Sequence, residues 1–267
     1  MFFRSLPLDV RIAIAFLIFL FLFALSYPIL PYTYYEQFPE RALEGFSLQH
    51  PFGTDEIGRD LLARTSYGLG ISLRVAIISA LLATILGTTI GVISGWFGGL
   101  IDLLIMRFID FFISIPDIIL IVLISLVIGQ GELAIVLAIS LGAWLSVARV
   151  IRGEVMKLKN EDFITSAILV GNSTLRLFYK HIIPNIINYV IVMLVLRIPT
   201  AILTESGLSF IGLGLKPPAS SLGVLAEEGF RAISIYPRFI IIPSIFIFLL
   251  VWSINSLGEY LAKKIQR

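Results

Sequence analysis

The chain has 267 residues, of which 58% are hydrophobic and 14% charged, with a formal net charge of +2. Soluble domains are nearer half apolar and about a quarter charged, so this composition excludes an ordinary soluble domain and describes a polytopic membrane protein. The small basic excess gives no reason to expect nucleic acid as a partner, and with no cysteine there are no disulfides, thiolate nucleophiles or Cys-based zinc sites.

Apolar stretches long enough to cross roughly 30 Å of hydrocarbon predict an all-α fold of about six transmembrane helices. They fall near Ile12–Leu30, Ile71–Ser94, Ile105–Ile128, Leu133–Val150, Ile186–Thr204 and Phe239–Leu257. The first follows Arg4 and Arg11, is long for a signal h-region and ends in "SYPILPYTYY" without a small-x-small cleavage pattern, so it is expected to be retained. In the second, Gly87, Gly91 and Gly95 form a small-xxx-small register that reads as close helix packing. The third is interrupted by Asp110, Pro116 and Asp117, and its inner end is expected either to continue the span or to lie at the interface. There Arg107 and Asp110 have the i,i+3 spacing of a helical ion pair. Arg197 lies in mid-span with Glu205 two turns on; a charge at that depth points to a water-filled pathway, a subunit interface or a carbonyl partner.

Orientation follows from the cations. With the N-terminus inside, Arg4, Arg11, Arg107, Arg149, Arg152, Lys157, Lys159, Arg176, Lys180, Lys263, Lys264 and Arg267 collect on the cytoplasmic side. The outer loops hold fewer, interleaved with acids. Both termini are then cytoplasmic, and the chain divides into an N-terminal segment with the first helix (1–31), an outer loop (32–70), a transmembrane domain (71–258) and a tail (259–267). Within the domain, 151–184 is a cytoplasmic loop and 205–238 an outer one.

Enzymatic readings fail for want of chemistry. His50 and His181 fall in loops on opposite sides of the membrane, so neither a paired-histidine metal site nor a Ser–His pair can assemble, and no G-x-x-x-x-G-K-[ST] loop is present to bind nucleotide. A secondary transporter would call for inverted repeats, broken helices and acidic ion sites at mid-membrane, none of which the sequence displays convincingly.

The inner loop, "IRGEVMKLKNEDFITSAILVGNSTLRLFYKHIIP", carries the strongest signal. Phe163, Ala167 and Val170 recur at helical spacing, Gly171-Asn172 is a helix stop, and Ser173 can cap a second helix. In that helix Leu175, Phe178, Ile182 and Ile183 share a face, Arg176 and Lys180 lie on another, and Pro184 is expected to end it where the next span begins. Such an elbow can dock on a soluble partner or rest on anionic lipid; the glycine bend and proline exit favour docking.

From Phe163 to Asn185 the loop resembles the coupling loop of binding-protein-dependent ABC importer permeases, with its glycine at Gly171, its last alanine at Ala167 and its end at Ile182-Ile183-Pro184-Asn185. Thr165 stands where that pattern has glutamate, Ser166 where it has the first alanine, and Ile183 where it has leucine. "HPFGTDEIGRD" (50–60), "GLSFIGLGLKPP" (207–218) and "GWFGGLIDLLIMRFID" (95–110) are similar to segments of the C-type permease of the dipeptide, oligopeptide and nickel branch, and the resemblance covers nearly the whole chain from Ile12. It implies a type I ABC importer permease of the prokaryotic inner membrane, a non-catalytic subunit that binds no cofactor itself. Its implied partners are a homologous second permease, two ATPase subunits that use ATP and Mg, an extracytoplasmic solute-binding protein and the lipid bilayer. Coupling would run through Phe163, Thr165, Ala167, Gly171, Leu175, Arg176, Phe178, Lys180 and Pro184, with Arg197 and Glu205 at the pathway or subunit interface. His50, Phe52, Asp55, Arg59 and Asp60 would meet the binding protein, although the glycine-rich 207–214 segment reads equally as packing. The implied cargo is a di- or oligopeptide, with nickel or oligosaccharides as alternatives.

Overall fold

The computed structural model describes residues 6–265, excepting the Leu175 side chain; the expected inner cations Arg4 and Arg267 lie outside the described residues, as does the Leu175 side chain assigned to the elbow's grip. In chain order the helices are α1 (Leu8–Leu25), α2 (Leu61–Phe97), α3 (Gly99–Ile113), α4 (Asp117–Ile128), α5 (Glu132–Lys159), α6 (Asp162–Leu169), α7 (Thr174–Leu177), α8 (Ile183–Phe210), α9 (Leu222–Arg231) and α10 (Arg238–Ile265). Among the described residues there is no strand. Among the described residues five helices are long and apolar enough to cross a bilayer, and α3 and α4, together long and apolar enough for a sixth, are bent by 94° at the break between them. The apolar side chains these helices turn outward, such as Ile18, Phe19 and Leu22 of α1, are what a lipid solvent accepts.

Two boundaries differ from expectation. α2 begins at Leu61, not Ile71, and has 37 residues. At 1.5 Å per residue that is roughly 55 Å, well beyond the hydrocarbon, so its polar first turns stand in the headgroup region or outside it. α5 likewise runs on to Lys159, so the loop expected from Ile151 opens as helix.

The third span departs further. Pro116 cannot donate to the helix ladder and disfavours helical backbone before it, so α3 closes at Ile113 and α4 restarts at Asp117. The 12 residues of α4 cover roughly 18 Å, too short to cross alone. A discontinuous helix is thus present, at the interruption that Pro116 and Asp117 marked in the sequence. Asp110 does not pair with Arg107; its partner is Arg149 of α5, while Asp102 takes Arg152 and accepts from the Ser94 hydroxyl at 2.5 Å. These cross-helix pairs hold α3 against α2 and α5.

The scaffold is the α2–α5 pair, the most extensive helix contact in the molecule. A Cβ on Gly87 would lie 2.6 Å from Val147 Cβ, one on Gly91 2.5 Å from the Ala148 carbonyl and one on Gly95 2.8 Å from the Arg152 carbonyl. The glycine register therefore admits the α5 backbone along the whole inner half of the pair. α8, α10 and α1 complete the bundle around a core that includes Val75, Ile135, Ile139, Ile202 and Leu250.

Candidate functional site

At one end of the bundle, α5 leads into an elbow. Ile164, wholly buried, plugs α6 into a cluster with Trp96, Val147, Ile151, Val155, Leu177, Ile182 and Ile186. Lys159 secures the junction: its Nζ donates to the Trp96 carbonyl at 2.7 Å and sits over the indole. The bend is a Schellman motif, with Gly171 N–H donating to Ile168 O (2.9 Å) and Asn172 N–H to Ala167 O (3.3 Å). Gly171 takes the left-handed conformation this requires, at φ +83°. Ser173 then caps α7, its hydroxyl oxygen accepting from Arg176 N–H at 3.4 Å.

Pro184 does not end the second helix. α7 passes into a wider π turn over Phe178–Ile182 and straight on into α8, with Pro184 in its first turn. Opening the ladder ahead of the proline accommodates both its missing N–H and its ring. The elbow's second arm is thus continuous with a span. Phe178 also differs from its expected role: its ring packs 5.1 Å from Trp96 inside the elbow. Ala167 is partly buried against the same cluster. Phe163, Thr165, Arg176 and Lys180 are exposed, and the Thr165 hydroxyl, where the coupling-loop pattern has glutamate, donates to the Glu161 carbonyl. The most exposed apolar residues here are Leu169 (81%) and Val170 (83%), the last residue of α6 and its C-cap; the helical spacing included Val170 but gave no reason to set Leu169 apart.

At the other end, residues expected on the surface are inside. His50 is 0% exposed, its Nδ1 2.7 Å from Asp60 and its ring stacked on Tyr32. Asp60 also caps α2 by accepting from Ala63 N–H at 2.7 Å. Asp55 accepts from Arg59 (2.6 Å) and from buried Arg64 (2.8 Å), and Arg64 reaches on to Glu228 before α9 ends (2.7 Å). Phe52 packs toward Phe23 and Phe246. His50, Asp55 and Asp60 are therefore buried scaffold, which removes these three from the surface expected to meet a binding protein, while Phe52 and Arg59 are partly buried. Gly58 shows why the loop folds this way: at φ +80° it lets the Phe38 backbone approach to where a Cβ would clash at 1.9 Å. The surface left exposed mixes apolar side chains, including Tyr35, Phe46, Leu48 and Ile57, with acids such as Glu36, Glu40 and Glu56.

"GLSFIGLG" continues α8 to Phe210 and ends it with a second Schellman motif, Gly212 N–H to Ser209 O (3.0 Å) and Leu213 N–H to Leu208 O (2.9 Å). The turn brings Ser221, the cap of α9, back onto Glu205. Glu205 is buried within the chain, not presented to a pathway or a partner: it accepts from Ser221 (2.5 Å), Ser209 (3.0 Å) and Ser72 (3.3 Å). Arg197 is different. It is only partly buried and lines a cleft of about 240 Å³ between α2, α4, α5 and α8, together with Asp117.

This architecture has close relatives. The oligopeptide transport permease OppC of Salmonella typhimurium is 39% identical over 255 residues, covering 93% of this chain and 84% of the relative. The dipeptide transport permease DppC of Bacillus subtilis is 36% identical over 245 residues, covering 91% and 77%. In fold, the chain is similar to one from the MetNI methionine ABC transporter in inward-facing conformations, with a TM-score of 0.63 at 17% identity, covering 76% of this chain and 97% of that one. Residues 87–267, from the glycine stripe through the elbow to α10, match the family described as the binding-protein-dependent transport system inner membrane component, and the chain belongs to that family of ABC importer permeases.

Proposed function

We propose that this chain forms one half of the pathway of an ATP-driven peptide importer, beside a homologous permease, with two ATPase subunits under the elbow and a solute-binding protein on the loop face. The observation that carries this reading is the elbow: a helix whose one arm is plugged into the bundle, whose other arm is continuous with α8, and whose tip exposes Leu169 and Val170. Exposed aliphatic side chains at the tip of a rigid bend fit a groove in a soluble partner. Arg176 and Lys180 flank them. The excess of cations on this side supports a cytoplasmic location for the elbow and both termini. Peptide cargo is supported by the oligopeptide and dipeptide permeases among its relatives. On the opposite face, exposed Phe46 and Leu48 are the contacts we assign to the binding protein.

A cysteine in place of Val170 would be the only thiol in the chain. With a bifunctional reagent in membranes holding the whole transporter, Val170→Cys is expected to cross-link to an ATPase subunit in a yield that changes with ATP. Cross-linking to lipid-soluble probes alone, without nucleotide dependence, would return the elbow to an interfacial helix.

A further inference from the structure

The Arg197 cleft lies near the middle of the membrane. Arg197 stands 13 residues before the end of α8, roughly 20 Å along the axis, and Asp117 begins α4 roughly 18 Å from that helix's far end. Gly142 of α5 lies roughly 15 Å from the end that α4 and α5 share. In a core of roughly 30 Å, all three are near the centre. An arginine there is costly to leave facing lipid, so something polar must meet it.

Within this chain little does. Among the described residues no carboxylate lies within 4.0 Å of the Arg197 guanidinium. Asp117 shares the cleft and acts on Arg197 electrostatically from beyond ion-pair distance. The rest of the lining is apolar, with Ile121, Ile139 and Leu203, apart from the hydroxyls of Ser79, Thr200 and Thr204. The Thr200 and Thr204 hydroxyls donate to the Arg197 and Thr200 carbonyls at 2.8 Å each, which leaves their oxygens free to accept. About 240 Å³ is room for roughly eight waters, or for the end of a peptide in their place.

We infer that this cleft is a transit subsite for the carboxylate end of a zwitterionic peptide, with Arg197 as the carboxylate-binding residue and Asp117 as the opposing charge. The inference rests on the peptide-importer reading above. A guanidinium presents its donors in a fork matched to a carboxylate, and in a low-dielectric cleft that pairing is strong enough to dehydrate the terminus. Asp117 repels an anion that carries no compensating cation, so the pair favours a zwitterion over a simple acid. Gly142 is packed against Ile121 and the other walls are largely apolar, so the cleft offers its polar groups to the charged end of a peptide and not to its side chains. The subsite thus reads what all peptides share.

The chain's lack of cysteine makes the test direct. The complete transporter, carrying Thr200→Cys in this chain, is reconstituted in proteoliposomes and its labelling by anionic and cationic thiosulfonates is timed on this chain. The anionic reagent is expected to react about tenfold faster; Arg197→Lys should keep that ratio and Arg197→Gln abolish it. A transported dipeptide with a free carboxylate should slow labelling at least fivefold with arginine at 197 and not with glutamine, and its C-terminal amide should not protect. The inference is overturned if both reagents fail to react, as they would were a partner's carboxylate or lipid to seal the cleft. It is also overturned if Arg197→Gln leaves the ratio or the protection unchanged. Dipeptide uptake by the unsubstituted transporter is followed alongside: uptake there with a flat charge ratio in the Thr200→Cys protein rejects the subsite alone, whereas no uptake of any peptide by the unsubstituted transporter rejects the peptide reading and the subsite with it.

Discussion

Gly171 holds φ at +83° with nothing within 4 Å of where a Cβ would stand, so any cost of replacing it is backbone conformation and not collision. For an ordinary L-residue the left-handed region costs roughly 1–2 kcal/mol, and more when the side chain is β-branched. Each of the two hydrogen bonds closing the bend contributes roughly 0.5–1.5 kcal/mol, so valine forfeits about what the motif gains. Gly171→Val is therefore expected to let the bend relax and to reduce ATP-linked uptake at least tenfold while membrane insertion is unchanged. Gly171→Asn, which tolerates this conformation, should retain most transport. Uptake in proteoliposomes, normalised to inserted protein, checks both; equal loss in the two variants would show that something other than the backbone angle is needed there. This bend was readable in the sequence because glycine, asparagine and a capping serine stand together after a helical period. The inward placement of His50 and Asp60 was not, since a charged, glycine-rich loop reads the same whether its carboxylates face water or arginine.

Helices were legible where lipid dictates composition and less so beyond it. Apolar runs located the spans, but hydropathy marks the bilayer and not the helix ends, so α2 and α5 continue into polar sequence that gave no boundary. The break before α4 announced itself only through Pro116 and its neighbouring acids. The glycine register, by contrast, specified the interface it makes. Overpacking such an interface costs roughly 1–3 kcal/mol, and the Gly91 position, 2.5 Å from a backbone carbonyl that cannot swing away, belongs at the upper end. Gly91→Leu is expected to separate α2 from α5 and to lower the melting temperature of the detergent-solubilised protein clearly. Gly153, also helical but with open space where a Cβ would go, is the control. There alanine should be neutral or stabilising by roughly 0.5–1 kcal/mol, because only helix propensity changes. If the two substitutions proved alike by differential scanning fluorimetry, the small-residue stripe would be incidental.

Across the whole molecule, one helical path joins the two ends. It rises from the Ser173 cap through the π turn and α8 to the second Schellman bend, and it is latched at its far end by Glu205 to Ser72 of α2 and Ser221 before α9. No local pattern could reveal this latch, because its hydroxyls come from three separated segments. A push on the elbow reaches the loop face only if that latch holds. Removing the carboxylate strands hydroxyls in a buried site at roughly 1–3 kcal/mol apiece before they find backbone partners, and a net loss of about 2–4 kcal/mol is expected for Glu205→Ala. Glu205→Gln keeps one oxygen for Ser221 and Ser209 and offers Ser72 an N–H instead, so it should cost little. The distinctive expectation for Glu205→Ala is uncoupling: ATP hydrolysis by the assembled transporter persists, since the elbow is untouched, while uptake per ATP falls at least fivefold. Parallel measurement of phosphate release and uptake decides it. Hydrolysis and uptake declining together would make the serine cage a matter of stability alone, whereas hydrolysis surviving without transport would make α8 the lever and Glu205 the point at which it takes hold of the outer face.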